Sequence, residues 1–117
     1  KKAAEKYSVP GIYTDYREMI AKENLDAVSV ATPNKYHKQP TIDALNAGLH
    51  VLCEKPLGMN ADECREMCAT ARDTGKILQV GLNSRFGGAP KWLKTYAENG
   101  GLGDVYYARA QAIRRRG

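Results

Sequence analysis

The sequence predicts an α/β fold: a parallel sheet with crossover helices, followed by the start of a second α/β domain. Three observations point there. Strand-like and helix-like segments alternate between residues 26 and 81 with short connections. Such alternation means parallel pairing through right-handed crossovers. Residues 26–31 (Asp-Ala-Val-Ser-Val-Ala) lack strong polar alternation, as a strand covered on both faces does. Glycine or proline marks the junctions at Pro33, Gly48, Pro56 and Gly75.

The elements follow in order. Residues 1–7 read as the tail of a helix, with Ala3, Ala4 and Tyr7 on one face. Ser8-Val9-Pro10-Gly11 breaks it, and Ile12-Tyr13 is a short extended piece. Thr14 or Asp15 caps a helix running to about Asn24, with Glu18 placed to reach back to the cap. Met19, Ile20 and Tyr16 form its apolar side. Residues 26–31 are the first strand, stopped by Thr32-Pro33-Asn34. A helix over about 38–47 tolerates Pro40 in its first turn and ends at Gly48. Ile42 and Leu45 face the sheet. The run His50-Val51-Leu52-Cys53 is a buried strand that stops at Glu54-Lys55-Pro56. Asn60 caps the next helix, with Glu63 three residues on, and Gly75 closes it. Residues 76–81 form a third strand.

Beyond Phe86 the character changes. Residues 86–90 are a break, 91–99 a helix carrying Trp92, Leu93 and Tyr96, and 100–103 its glycine-rich end. Residues 104–113 alternate as a strand does. The boundary is therefore set at 85/86: a nucleotide-domain-like piece over 1–85 and the start of a second domain over 86–117.

Composition narrows the class. The chain has 117 residues, 43% hydrophobic and 26% charged, the balance of an ordinary globular domain. No apolar run approaches the roughly 18 residues of a membrane span, so no membrane partner is expected. The net charge of +5 sits largely at Lys1-Lys2 and Arg114-Arg115-Arg116. No basic helix alternates with aromatics, so no nucleic-acid partner is expected either. Cys53, Cys64 and Cys68 are odd in number and lack further Cys or His at ligand spacing, which reads as buried thiols in a reducing compartment with no metal. A cytoplasmic location is expected.

The chemistry concentrates where the strands stop. Thr32-Pro33-Asn34, Glu54-Lys55-Pro56 and Asn83-Ser84-Arg85 follow three successive parallel strands. All three therefore fall on the carboxyl edge of one sheet, where open α/β sheets hold ligands. Lys55 is the residue of choice for catalysis, since a partly desolvated lysine acts as acid, base or fixed charge. Glu54 would hold its orientation or protonation; Pro56 fixes the exit. The plainer reading of this run is a surface Glu-Lys pair with a strand stop. Asn34 is either a ribose or phosphate contact or a turn residue. His37 is either a ligand beside the pyrophosphate or simply the start of a helix. Arg85 is either a phosphate partner or half of a boundary ion pair.

Taken together, Ala31-Thr32-Pro33-Asn34 with His37, Ala47-Gly48 before His50-Val51, and Cys53-Glu54-Lys55-Pro56 resemble the Gfo/Idh/MocA family. Gly81 to Phe86, the helix around Trp92, and Gly103-Asp104-Val105 through Gly117 extend the resemblance. It implies an NAD- or NADP-dependent oxidoreductase acting on a sugar, cyclitol or related polyol. It implies a Rossmann domain, then an α/β domain whose sheet commonly forms a homodimer or tetramer interface. Lys55 would stand by the nicotinamide ribose and the substrate hydroxyl. The peptide before Pro56 is often cis, which would aim the lysine. Thr32, Pro33, Asn34 and His37 would lie along the cofactor, with Glu54, Lys55, Pro56, Asn83 and Arg85 in the same cleft. The family's opening strand and Gly-x-Gly-x-x-Gly turn have no counterpart here. Nor does its second catalytic pair, an aspartate and a histidine. The chain is accordingly expected to be an internal piece of a longer enzyme, inactive by itself. The alternatives are a non-redox or inactive relative, such as an NAD-dependent glycosidase-like enzyme, or a binding or regulatory domain.

Overall fold

Three short parallel strands run side by side in the order β1-β2-β3: β1 (Ala27–Val30), β2 (His50–Cys53) and β3 (Leu78–Val80). The computed structural model describes residues 2–113, the Ala3 side chain apart. The expectations for Arg114, Arg115, Arg116 and Gly117 lie outside the described residues. The helices are α1 (Lys2–Lys6), α2 (Tyr16–Lys22), α3 (Lys38–Asn46), α4 (Ala61–Thr74) and α5 (Gly88–Glu98), with 3-10 turns at Asn34–Tyr36 and Asn83–Phe86. The chain divides into two units, 1–82 and 83–117.

Local chemistry sets the helix ends. Asn60 accepts from the Glu63 backbone N–H at 2.9 Å, and the Glu63 carboxylate accepts from the Met59 N–H at 2.8 Å. These bonds satisfy two amide donors at the start of α4. Gly75 ends α4 at φ 67°, and Gly48 follows α3 at φ 83°, conformations in which a Cβ would clash. At α2 the cap is Asp15, whose side chain accepts from the Arg17 N–H at 2.9 Å. Glu18 does not reach back as expected. It pairs with Lys22 at 3.0 Å one turn on, where both side chains stay in water.

The core lies under one face of the sheet. Register pairs Val28 with Val51 and Leu78, and Val30 with Cys53 and Val80, so these six point the same way. Helices α3 and α4 pack on each other, and α3 also meets β1 and β2. Leu45, Ala44, Leu49 and Met67 close with Val30, Val51 and Cys53 into one cluster, against which Ile20, Ile42 and Leu57 pack. The opposite face, with Ala27, Ser29, His50, Leu52, Ile77 and Gln79, is not covered as the first strand's pattern suggested. Leu52 and Ile77 are exposed there. The weak alternation of β1 reflects small side chains on that face: Ala27 and Ser29 carry little apolar surface whether covered or not.

In the second unit, α5 starts at Gly88, earlier than expected. Pro90 sits in its first turn, where no backbone donor is needed. Trp92 and Tyr96 stack with ring centroids 5.0 Å apart. Residues 104–113 form no strand. Their alternation is present, but no neighbouring strand among the described residues offers the ladder that would define one.

Candidate functional site

All three strands end on the same edge, at Val30, Cys53 and Val80. The ladder continues one step beyond each end. The Glu54 N–H donates to the Val30 carbonyl at 2.9 Å, and the Gly81 N–H donates to the Cys53 carbonyl at 2.8 Å. The exits of β1, β2 and β3 are thus held side by side by backbone alone.

Lys55 leaves the end of β2, and its peptide to Pro56 is cis. Its side chain is exposed, not partly desolvated, and joins no ion pair among the described residues. Glu54 is half-buried. Its carboxylate accepts from the Lys55 backbone N–H at 3.2 Å, so it steadies the lysine's main chain. That carboxylate also lies flat on Gly81: a Cβ there would meet Glu54 Cδ and Oε1 at 3.1 Å. Gly81 is buried and has no positive φ, so its need for glycine is one of space. In the intact protein, Gly81→Ala is therefore expected to push the Glu54 carboxylate aside. A several-fold fall in turnover, with a destabilisation under about 1.5 kcal/mol, is expected. Paired kinetic and denaturation measurements check both numbers.

Across from Lys55 lies the β1 exit. Thr32, Pro33 and Asn34 are exposed, and Asn34 opens a 3-10 turn. The Thr32 hydroxyl donates to the Tyr36 carbonyl at 3.3 Å. His37 follows and is 1% exposed. Its Nδ1 lies 2.7 Å from the Pro56 carbonyl oxygen and its Nε2 lies 2.8 Å from the Thr32 carbonyl oxygen. Both ring nitrogens are thus occupied within the fold, and the side chain presents no polar atom to a ligand. The structure thereby brings Thr32, His37, Glu54, Lys55 and Pro56 into one neighbourhood. Asn83 and Arg85 belong to the second unit, in its first 3-10 turn. There Arg85 borders a surface hollow with Phe86, Pro90, Lys91 and Lys94.

Beside Thr32 the first unit holds a cavity of about 490 Å³, bordered by Tyr16, Arg17, Lys35, Tyr36 and Lys38. Gln39, Pro40 and Glu63 also line it, and two of its cations are paired, Arg17 with Asp43 and Lys38 with Glu66. Reading the sequence for strand ends missed these residues, which come from helices α2, α3 and α4 and the turn between β1 and α3. The walls are braced. Asp43 accepts from the Tyr16 hydroxyl at 2.6 Å and Gln39 at 2.7 Å, and Arg17 Nε stands 3.2 Å away. Burial and the hydrogen bond to Asp43 push the Tyr16 phenol up to about 12. Burial works to raise Asp43, but the bonds from Tyr16 and Gln39 and the Arg17 charge outweigh it and hold the carboxyl low. Lys38 pairs with Glu66 at 2.6 Å, which raises its ammonium.

Cys53 is fully buried, and burial pushes its thiol up, away from the thiolate that would react. Cys64 and Cys68 are only half-buried, not buried as expected, because the α4 face that carries them is partly open. No group of three His, Cys, Asp or Glu side chains is placed to hold a metal ion among the described residues. No helix is long and apolar enough to cross a membrane among the described residues.

Comparison with known proteins places this geometry in context. Residues 1–82 match the family model described as "Oxidoreductase family, NAD-binding Rossmann fold". The chain is 42% identical over 114 residues to D-glucoside 3-dehydrogenase of Escherichia coli (strain K12), covering 97% of this chain and 32% of that protein. The structure resembles myo-inositol 2-dehydrogenase from Lactobacillus plantarum, with a TM-score of 0.81 and 36% identity over 88% of this chain and 31% of that one. It also resembles the WlbA dehydrogenase from Bordetella pertussis, solved in complex with NADH and UDP-GlcNAcA. There the TM-score is 0.84 and the identity 28%, over 90% of this chain and 30% of that one. The chain thus spans about a third of the length of the relatives it matches. With its parallel sheet, its crossover helices and a match over most of its length, the chain belongs to the Gfo/Idh/MocA oxidoreductase family, whose model describes an NAD-binding Rossmann fold.

Proposed function

We propose that this chain is part of a dehydrogenase that moves a hydride between NAD or NADP and a sugar, cyclitol or related polyol. The observation that carries the reading is the placement of Lys55. It stands at the carboxyl edge of a parallel sheet, beside the exposed Thr32-Pro33-Asn34 loop. The residues present suit a dinucleotide: a solvent-open strand edge, polar loop groups, and a cavity next to Thr32 lined by Tyr16, Tyr36 and Lys35 among others. When bound, the nicotinamide supplies the acceptor for the hydride. Thr32, Pro33 and Asn34 would flank it.

Lys55 handles the proton. As the substrate carbon gives up its hydride, the hydroxyl on that carbon loses its proton and becomes a carbonyl. Lys55 would assist the movement of that proton, with a partner acid or base from elsewhere in the intact enzyme. Glu54, bonded to the Lys55 main chain, holds the residue at the edge. The names of the relatives, a glucoside and an inositol dehydrogenase, support the polyol class. Residues 86–117 would begin a second domain that chooses the substrate and joins subunits.

The test is turnover. The intact protein, given NAD or NADP and a panel of sugars and cyclitols, is expected to form reduced nicotinamide with at least one of them. Failure with every polyol would contradict the reading. The 117-residue chain alone contains no Gly-x-Gly-x-x-Gly turn, the element that seats a pyrophosphate. Its affinity for NAD is expected to be millimolar or weaker; a submillimolar value by calorimetry would refute that.

A further inference from the structure

We infer that His37 is a positioning residue: its ring ties the β1 exit to the β2 exit and so sets where Lys55 stands. The inference rests on the dehydrogenase reading for what Lys55 does, but the tie itself is a matter of geometry. The sheet ladder between the two exits ends at the Glu54 N–H and the Val30 carbonyl. Past it, no backbone hydrogen bond joins residues 31–36 to residues 55–58 among the described residues. The connection is made instead by one side chain. His37 Nε2 reaches the Thr32 carbonyl at 2.8 Å, and Nδ1 reaches the Pro56 carbonyl at 2.7 Å, directly after Lys55.

The main chain of His37 is itself well anchored. Its backbone N–H donates to the Asn34 carbonyl at 3.1 Å, and its backbone carbonyl accepts from the Thr41 N–H at 3.3 Å in the first turn of α3. At 1% exposure it has no water with which to exchange partners. Histidine suits this place because its two nitrogens leave a flat ring in divergent directions. A carbonyl only accepts, so each bond needs a ring N–H: a neutral ring provides one and a doubly protonated ring provides both. Glutamine carries both of its N–H donors on one nitrogen and so does not span two carbonyls held on opposite sides of a ring. It can keep at most one of the two ties well.

The consequence for chemistry is indirect. Lys55 is exposed and, among the described residues, has no ion-pair partner to hold it. Its placement relative to the Thr32-Pro33-Asn34 loop depends on the main chain on either side of it. Glu54 holds one side through the Lys55 N–H; His37 holds the other through the Pro56 carbonyl. A shift of about 1 Å in a reacting group can cost on the order of a hundredfold in rate.

A double-mutant cycle in the intact protein tests this. His37→Gln is expected to lower kcat by roughly 10- to 100-fold. In a Lys55→Ala background the same change should cost less than about 2-fold, because the group it positions is gone. An equal loss in both backgrounds, or no loss in the wild-type background, would overturn the proposal. An unchanged turnover in Lys55→Ala alone would instead sink the catalytic assignment. The tie is then judged on the unsubstituted protein, which also covers the case of a His37→Gln protein that does not fold. Through-hydrogen-bond NMR couplings should run from the His37 ring nitrogens to the Thr32 and Pro56 carbonyl carbons. Absence of coupling to either carbonyl, as in a ring with a single N–H, would overturn the tie.

Discussion

Lys55→Ala is expected to lower turnover of the intact enzyme by about 10²- to 10⁴-fold, the range a positioned proton-transfer group contributes. Affinity for NADH should change little, since the role proposed for the lysine is on the substrate hydroxyl. The loss should appear in kcat and in kcat/KM alike, the signature of a group that acts in the transition state. The structure limits side effects of the change. The Lys55 side chain is exposed and holds no ion pair among the described residues, so its removal leaves no buried charge behind. The neighbouring contacts use main-chain atoms: the Lys55 N–H to Glu54 and the Pro56 carbonyl to His37. Alanine keeps both. Steady-state kinetics with a parallel NADH titration checks this, and an unchanged kcat would remove Lys55 from the chemistry.

Leu45→Ala is expected to destabilise the fold by about 2–5 kcal/mol, the cost of deleting a large buried side chain and leaving a cavity. Leu45 is 0% exposed and lies among Val30, Ala44, Leu49, Val51, Cys53 and Met67. It sits on α3, which packs on α4 and on strands β1 and β2. The site cannot easily collapse around the hole, because a parallel ladder and two helices enclose it. Urea unfolding should show a lower midpoint with an unchanged slope. The effect reaches function because α3 begins beside His37 and because β2 leads directly into Lys55. A loss below about 1 kcal/mol would mean that this cluster is not the principal core of the first unit.

Much of this architecture was legible in the residues. Gly48, Gly75 and Asn60 announced helix ends that the structure places where expected, because caps are local chemistry. The alternation of strands and helices gave the parallel sheet, and a parallel sheet fixes which loops share an edge. Other features depend on what surrounds a segment. The exposed face of Leu52 and Ile77, and the lack of a strand over 104–113, are matters of neighbours and not of local pattern. The role of His37 was hidden for a related reason. Its partners are two backbone carbonyls, at Thr32 and Pro56, and backbone atoms leave no mark in a sequence. The fit of Glu54 on Gly81 was equally invisible, since it is a contact across the sheet edge between residues 27 positions apart. The Tyr16–Asp43–Arg17 bracing joins two helices by long-range contacts that no short motif encodes.

The central claim is that the edge carrying Lys55 is the edge that holds the nicotinamide cofactor. The most direct measurement is a titration of NADH into the isotopically labelled intact protein, followed by backbone amide NMR. The largest shift changes should fall at Thr32, Asn34, Glu54 and Lys55. Saturable NADH binding that leaves those four amides unmoved, with shifts gathered instead on the open face at Ser29, Leu52 and Gln79, would contradict it.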